Sequence, residues 1–135
     1  MNALRALRQY QKVDSHAQTS EATPHRLVQM LMQGSLDRMA QAKGALSRGQ
    51  TAQKGEMLGK AVAIIGGLRQ GLDSTKAEKA QAIKDLDDLY AYMSGRLTEA
   101  NIKNDPQLID EVARLMITVK SGWDAIANHE SAQPA

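Results

Sequence analysis

Histidine is the side chain of this chain with the widest chemistry, since it can ligate a metal, relay a proton or act as a nucleophile. The chain has three histidines, at His16, His25 and His129. Helical bundles that hold two irons carry glutamates and Glu-x-x-His pairs that project inward from their helices. No Glu-x-x-His sequence occurs here, and the three histidines lie outside the middles of the predicted helices. The sequence therefore predicts no metal site and no cofactor.

A phosphorelay bundle would need one exposed histidine on a helix, and His25 is the candidate. It lies in the first turn of a predicted helix, and the residues after it lack the Lys-Gly pair that usually accompanies such a histidine. The positive end of a helix also disfavours a protonated imidazole. We interpret His25 as an exposed first-turn histidine without a catalytic role.

Three further patterns could suggest a site of chemistry, and none of them carries the residues that such a site needs. No serine lies in a strained turn with a histidine and an acid to activate it. The glycine-rich stretch 66–71 lacks both a preceding strand and the Lys-Ser/Thr pair of a phosphate-binding loop. Asp85, Asp87 and Asp88 form most simply a solvated helix face. The sequence thus predicts a protein that is not an enzyme and has no small-molecule substrate.

The strongest structural signal is the stretch 80–104, whose apolar residues recur at alternating steps of three and four. This period is typical of a helix that packs one seam against other helices. The seam consists of Ile83, Leu86, Tyr90, Met93, Leu97 and Ala100. We assign it to the core.

Two other helices begin with a capping residue followed by proline, at Thr23 with Pro24 and at Asp105 with Pro106. A further helix is predicted from about Glu56, after a polar loop over residues 49–55. Gly66, Gly67 and Gly71 in that helix indicate either close helix approach, which we favour, or a helix that must bend or open. Predicted helix starts are therefore Pro24, Glu56, Ala80 and Pro106, with short connections.

This pattern predicts an all-α fold, an antiparallel four-helix bundle over residues 23–128. A polar, disordered tail is expected over residues 129–135. Residues 1–22 form an N-terminal arm in which Leu4, Leu7 and Tyr10 have helical spacing. The arm is either mobile or conditionally helical, or a frayed terminus without consequence.

The predicted helices carry more apolar surface than a bundle requires, which favours a partner. Apolar residues flank the main seams, and six methionines beyond the first residue lie on or near these faces, where they could repack around different helices. Alternatively, the methionines replace phenylalanine in the core, because the chain has no Phe. The candidate partner-binding residues are Leu7, Tyr10, Met57, Ile64, Leu89, Tyr92, Leu108 and Leu115.

The composition of the chain excludes some classes of partner. The formal net charge of +2 comes without a block of Lys and Arg, which argues against nucleic acid. No apolar run approaches the ~20 residues that cross a bilayer, so no membrane insertion is expected. The absence of cysteine and of a signal-peptide core at the N-terminus predicts a soluble, cytoplasmic protein.

Two segments of the chain carry its most specific sequence motifs. The first is Thr-Pro-His-Arg-Leu-Val-Gln-Met-Leu at residues 23–31, followed by Gly-Ser-Leu at 34–36. The second is Leu-Tyr-Ala-Tyr-Met at residues 89–93, continued by Arg-Leu-Thr-Glu-Ala-Asn at 96–101 and Asn-Asp at 104–105. These segments resemble the FliS family of flagellar secretion chaperones, and Tyr10 and Trp123 also fall where that family has similar residues. The similarity covers residues 10–126.

The resemblance implies an export chaperone that binds the C-terminal segment of flagellin in the bacterial cytosol, prevents premature polymerisation and delivers flagellin to a component of the flagellar export gate. A disordered amphipathic client of this kind would dock as a helix in an apolar groove. The alternative is a homo-oligomeric helical-bundle regulator or adaptor without a flagellin client. In the chaperone hypothesis, the arm would cover a client groove until the client displaces it.

Overall fold

A computed structural model describes residues 23–72 and 79–132, with side chains described up to residue 126. These residues form four helices and no strand. The helices are α1 (Pro24–Ser47), α2 (Thr51–Gln70), α3 (Ala80–Lys103) and α4 (Pro106–Ala132). The prediction of an all-α four-helix bundle is confirmed. The arm with Leu7 and Tyr10 lies outside the described residues, as do residues 73–78 and 133–135.

The two cap-and-proline signals start helices as the sequence predicts. The side chain of Thr23 accepts a hydrogen bond of 3.1 Å from the backbone N–H of Arg26, and Pro24 is the first residue of α1. At α4, the carboxylate of Asp105 accepts a hydrogen bond of 2.9 Å from the N–H of Gln107. Both caps satisfy N–H groups that have no partner inside the helix.

Residues with positive φ end two helices. After α1, Gly49 has φ of 70° and its N–H donates to the carbonyl of Leu46, while the N–H of Gln50 reaches back to Ala45 over 2.9 Å. This pair of bonds is the Schellman motif, which suits glycine. After α3, Asn104 takes the left-handed conformation with φ of 52°, which asparagine tolerates better than most residues. Both turns reverse the chain within a few residues.

Helix α2 begins at Thr51 and not at Glu56, so the predicted loop over residues 49–55 is wrong beyond residue 50. The reason is a tertiary contact. The side chain of Lys54 is buried, and its ammonium donates to the backbone carbonyl of Asn101 over 2.8 Å and to Oδ1 of Asn104 over 2.5 Å. These bonds satisfy a buried charge and fix the polar start of α2 against the end of α3.

Each helix packs against two neighbours. Helix α1 packs against α2 and α4, and α3 also packs against α2 and α4. The polypeptide therefore runs up and down around a square, and the starts of α1 and α3 lie at the same end as the ends of α2 and α4. Helix α4 continues to Ala132, past the predicted start of the tail at residue 129.

The core occupies the middle of the bundle. On α3, Tyr90, Met93, Leu97 and Ala100 are buried, as the seam predicts. All six methionines beyond the first residue are at most 6% exposed. The methionines therefore fill the core of a chain that lacks Phe, as the alternative interpretation has it, and they present almost no exposed surface. They are Met30, Met32, Met39, Met57, Met93 and Met116.

Within residues 23–72 and 79–132, no helix is both long enough and apolar enough to span a bilayer.

Candidate functional site

An apolar groove of about 870 Å³ opens at the end of the bundle where α1 and α3 begin and α2 and α4 end. We call it the end groove. All four helices contribute to its walls. The apolar side chains that line it include Leu27, Val28, Leu31, Leu68, Leu72, Ile83, Leu86, Tyr90, Val119, Trp123 and Ile126.

The end groove is built from seam residues that the bundle leaves partly uncovered. Ile83 and Leu86 were expected in the core, but both are only half-buried, as is Leu27 on α1. Ile126 is 49% exposed. Tyr90 is 2% exposed, and burial raises the pKa of its hydroxyl to about 12. Burial of these partly exposed apolar walls by a partner would be favourable in free energy.

Glycines keep this end of the bundle open. Gly67 and Gly71, at the end of α2, line the end groove, and so does Gly122 on α4. A Cβ built at Gly66 or Gly122 would meet nothing within 4 Å. The predicted close approach of helices at the α2 glycines is therefore not seen at Gly66. Gly67, Gly71 and Gly122 therefore add backbone but no side chain to the walls of the end groove.

An aromatic stack fixes α1 against α4 at the rim of the end groove. The rings of His25 and Trp123 are stacked, with centroids 4.5 Å apart and planes inclined by 8°. The indole N–H of Trp123 also donates to the backbone carbonyl of His25 over 3.0 Å. His25 is thus half-buried against Trp123, and the interpretation of His25 as an exposed residue is wrong. Its Nε2 has no hydrogen-bond partner in the described part of the chain.

A second link between the same helices lies beside the stack. The side-chain amide of Gln29 donates to Asp124 over 2.7 Å, and the ammonium of Lys120 donates to the other carboxylate oxygen over 2.9 Å. The hydrogen bond from Lys120, aided by the one from Gln29, lowers the pKa of Asp124. The rim on the α1–α4 side is therefore held by directed polar contacts, while the wall of the end groove is apolar.

The predicted flank of α3 and α4 comes together on one outer edge of the bundle. Tyr92 is 46% exposed, and its hydroxyl donates to the carboxylate of Glu111 over 2.5 Å. Arg96 donates to the other oxygen of Glu111 over 2.8 Å. These two hydrogen bonds, with that from Tyr92 the larger cause, lower the pKa of Glu111. The predicted residues Leu89, Leu108 and Leu115 are half-buried and pack against the core.

Two predicted binding residues are in the core. Met57 and Ile64 of α2 are 6% and 5% exposed and belong to the core cluster. Both side chains are thus largely covered by the packing of α2 in the bundle, and their role in partner binding stays a prediction.

The sequence reasoning missed Leu27, Val28, Trp123 and Ile126 as lining residues of an open groove. Each has seam spacing, and seam spacing alone indicates burial. A usable signal was the glycine pair 66–67 followed by Gly71, because a helix end without side chains cannot cover the seams that face it.

The fold and the end groove define a class of protein, a four-helix bundle with an open apolar groove at one end. The profile of the family described as "Flagellar protein FliS" matches residues 6–130. The chain is 53% identical to the flagellar secretion chaperone FliSB of Pseudomonas aeruginosa, over 95% of this chain and all of the relative. It is 44% identical to the flagellar secretion chaperone FliS of Vibrio cholerae, over 90% of this chain and 88% of the relative. Identity to the protein of the same name from Salmonella typhimurium is 36%, over 94% of this chain and 93% of the relative.

The chain belongs to the FliS family, as the two sequence segments predicted. This is a family of chaperones and not of enzymes.

Proposed function

We propose that this protein is a cytosolic export chaperone that binds the disordered C-terminal segment of flagellin, prevents its premature polymerisation and aids its delivery to the flagellar export apparatus. The observation that carries the proposal is the end groove, whose apolar walls come from all four helices and stay partly uncovered. The printed names of the relatives, flagellar secretion chaperones, support it.

The groove has the chemistry that an amphipathic helix needs. Its lining includes Leu27, Ile83 and Leu86, which are half-buried and so keep apolar surface for a client. A client segment that folds on docking loses chain entropy, which keeps the affinity moderate and allows later release. The polar contacts of Asp124 at the rim hold the groove in shape before the client arrives.

The test is a calorimetric titration of the full chain with a C-terminal flagellin peptide from the same organism. Ile83→Asp places a charge on the groove wall, and Ile102→Asp makes the same change on the same helix where the side chain is 77% exposed. We expect Ile83→Asp to weaken binding at least about tenfold, because the docked client would desolvate the carboxylate. Ile102→Asp should bind as the wild type does.

Circular dichroism of both variants verifies that the bundle is folded. Equal binding by the two variants, or no binding by the wild type, would contradict the proposal. Sedimentation of the free chain addresses the alternative function, since a stable oligomer whose interface buries the end groove would favour the homo-oligomeric regulator.

A further inference from the structure

Charge is divided unequally between the two halves of the bundle. Residues 24–70, which hold α1 and α2, contain seven Lys and Arg but only two Asp and Glu. Residues 80–126, which hold α3 and most of α4, contain five and eight respectively. The small net charge of the whole chain therefore conceals a basic half and an acidic half. Lys43 and Arg69 of the basic half form ion pairs with carboxylates of the acidic half, and Lys54 is buried, so only the remaining cations can attract an acidic partner.

The α1–α2 half of the bundle carries a cleft that is bordered by basic side chains. Between α1 and α2, a concavity of about 590 Å³ is bordered by Arg38 and Arg48 from the side of α1 and by Lys60 from the side of α2. We call it the basic cleft. The side chain of Met57 contributes apolar surface to it, and Gln41 and Gln53 add neutral amides.

The two arginines of the basic cleft form no ion pair within the described part of the chain. Arg38 donates to the amide oxygen of Gln41 over 3.0 Å, and Arg48 donates to that of Gln50 over 3.1 Å. Neither makes an ion pair with a carboxylate of residues 23–72 or 79–126. In contrast, Arg69 and Arg96 each form an ion pair with a carboxylate of a neighbouring helix, with 2.8 Å between Nε and the carboxylate oxygen. Lys60 forms an ion pair of 3.3 Å with Glu56, one helical turn earlier. Both side chains are exposed, so this pair contributes little to the stability of the fold.

The guanidinium of Arg48 is held over a glycine. Arg48 lies one turn beyond Gly44, and a Cβ built at Gly44 would come within 3.0 Å of Nη1 of Arg48. The absent side chain therefore lets this guanidinium lie against α1, on the helix face that also carries Arg38. Guanidinium groups oriented in this way are suited to carboxylates, which they bind through paired hydrogen bonds.

We propose that the basic cleft docks an acidic segment of a second protein. The aliphatic and amide groups of the cleft are typical of protein interfaces. Its lining residues include no aromatic ring on which a nucleic-acid base could stack, and three cations are few for a phosphate backbone. The two concavities share no lining residue, and the basic cleft lies toward the opposite end of α1 from the end groove. A client in the end groove and an acidic partner in the basic cleft can therefore bind together.

The test uses fluorescence anisotropy of the full chain with a short labelled Glu-rich peptide, its counterpart with Gln at every Glu, and labelled oligothymidylate. The double variant Arg38→Gln/Arg48→Gln removes the cleft charges. The double variant Lys84→Gln/Arg114→Gln removes the same charge from exposed positions on α3 and α4. We expect the cleft variant to bind the Glu-rich peptide at least about tenfold more weakly and the control about as tightly as the wild type.

Gly44→Ala is a second probe, which changes no charge. It should displace the guanidinium of Arg48 and weaken the binding of the Glu-rich peptide several-fold. The melting temperature should not fall, because Ala is a better helix former than Gly. Equal losses in both double variants, no preference for Glu over Gln, or tighter binding of oligothymidylate than of the Glu-rich peptide would overturn the proposal. Because these titrations use the free chain, their failure leaves the flagellin titration unaffected.

Discussion

The indole N–H of Trp123 donates a 3.0 Å hydrogen bond to the backbone carbonyl of His25, and the two rings stack above it. These contacts connect α1 and α4 at the rim of the end groove, 98 residues apart in sequence. The hydrogen bond and the ring stack can be removed separately by mutation, because the hydrogen bond uses the backbone of His25 and the stack uses its side chain.

We expect Trp123→Phe to lower the free energy of unfolding by about 1 kcal/mol, because it removes the hydrogen bond but keeps an aromatic ring. His25→Ala should cost a similar amount, since it removes the stack but keeps the carbonyl. Urea unfolding followed by circular dichroism measures both. If neither variant is less stable than the wild type, the rim contacts do not hold α1 against α4.

The core and the flank of α3 should respond differently to charge. Met93 is 0% exposed, so Met93→Asp buries a carboxylate and should lower the free energy of unfolding by more than about 4 kcal/mol. Tyr92→Asp, at a residue 46% exposed, should move the melting temperature little. Leu89→Asp, at a half-buried residue, should fall between the two. Thermal melting of the three variants side by side decides, and equal melting temperatures would mean that the flank is core.

Stability should depend on the protonation of Glu111. Its pKa is lowered in the folded chain by hydrogen bonds from Tyr92 and Arg96. A carboxyl whose pKa is lowered on folding stabilises the fold above its unfolded pKa, about 4.3 for Glu, and this contribution is lost as the pH falls. We expect Glu111→Gln and Tyr92→Phe to make the loss of stability below that pH less steep. Urea unfolding at a series of acid pH values measures it, and an unchanged acid slope in both variants would contradict the prediction.

The parts of the fold that the sequence predicts are those fixed by local chemistry. Thr23 with Pro24 and Asp105 with Pro106 start helices through bonds within three residues, so they can be read without the rest of the chain. The early start of α2 could not be predicted, because it depends on Lys54 reaching a carbonyl 47 residues away.

The site is less predictable than the fold for a related reason. Spacing shows which residues share a helix face, but Leu86 and Tyr90 share one face while only Tyr90 is fully covered. Whether a seam residue is core or groove depends on what the neighbouring helices place opposite it, here glycines at the end of α2. Spacing places Leu89 and Tyr92 beside the seam of α3. It does not show that the hydroxyl of Tyr92 donates to Glu111 of the neighbouring helix, which makes this edge partly polar.

The arm over residues 1–22 stays a prediction, since it lies outside the described residues. If Leu7 and Tyr10 cover the end groove until the client displaces them, deletion of residues 1–14 should change the affinity for the flagellin peptide and leave the bundle folded. Calorimetry and circular dichroism of the truncated chain measure the two quantities. Unchanged affinity would count against a role for the arm.

The central claim is that the client docks in the end groove, and the chain offers an internal reporter of it. Trp123 is the one tryptophan of the sequence and lines the end groove, so its emission depends on whether water or a client helix faces the indole. The decisive measurement is Trp123 fluorescence during titration with a C-terminal flagellin peptide that lacks tryptophan. We predict a shift of the emission to shorter wavelength that saturates at the affinity found by calorimetry and is lost in Ile83→Asp. Calorimetric binding with no change in Trp123 emission would contradict the account.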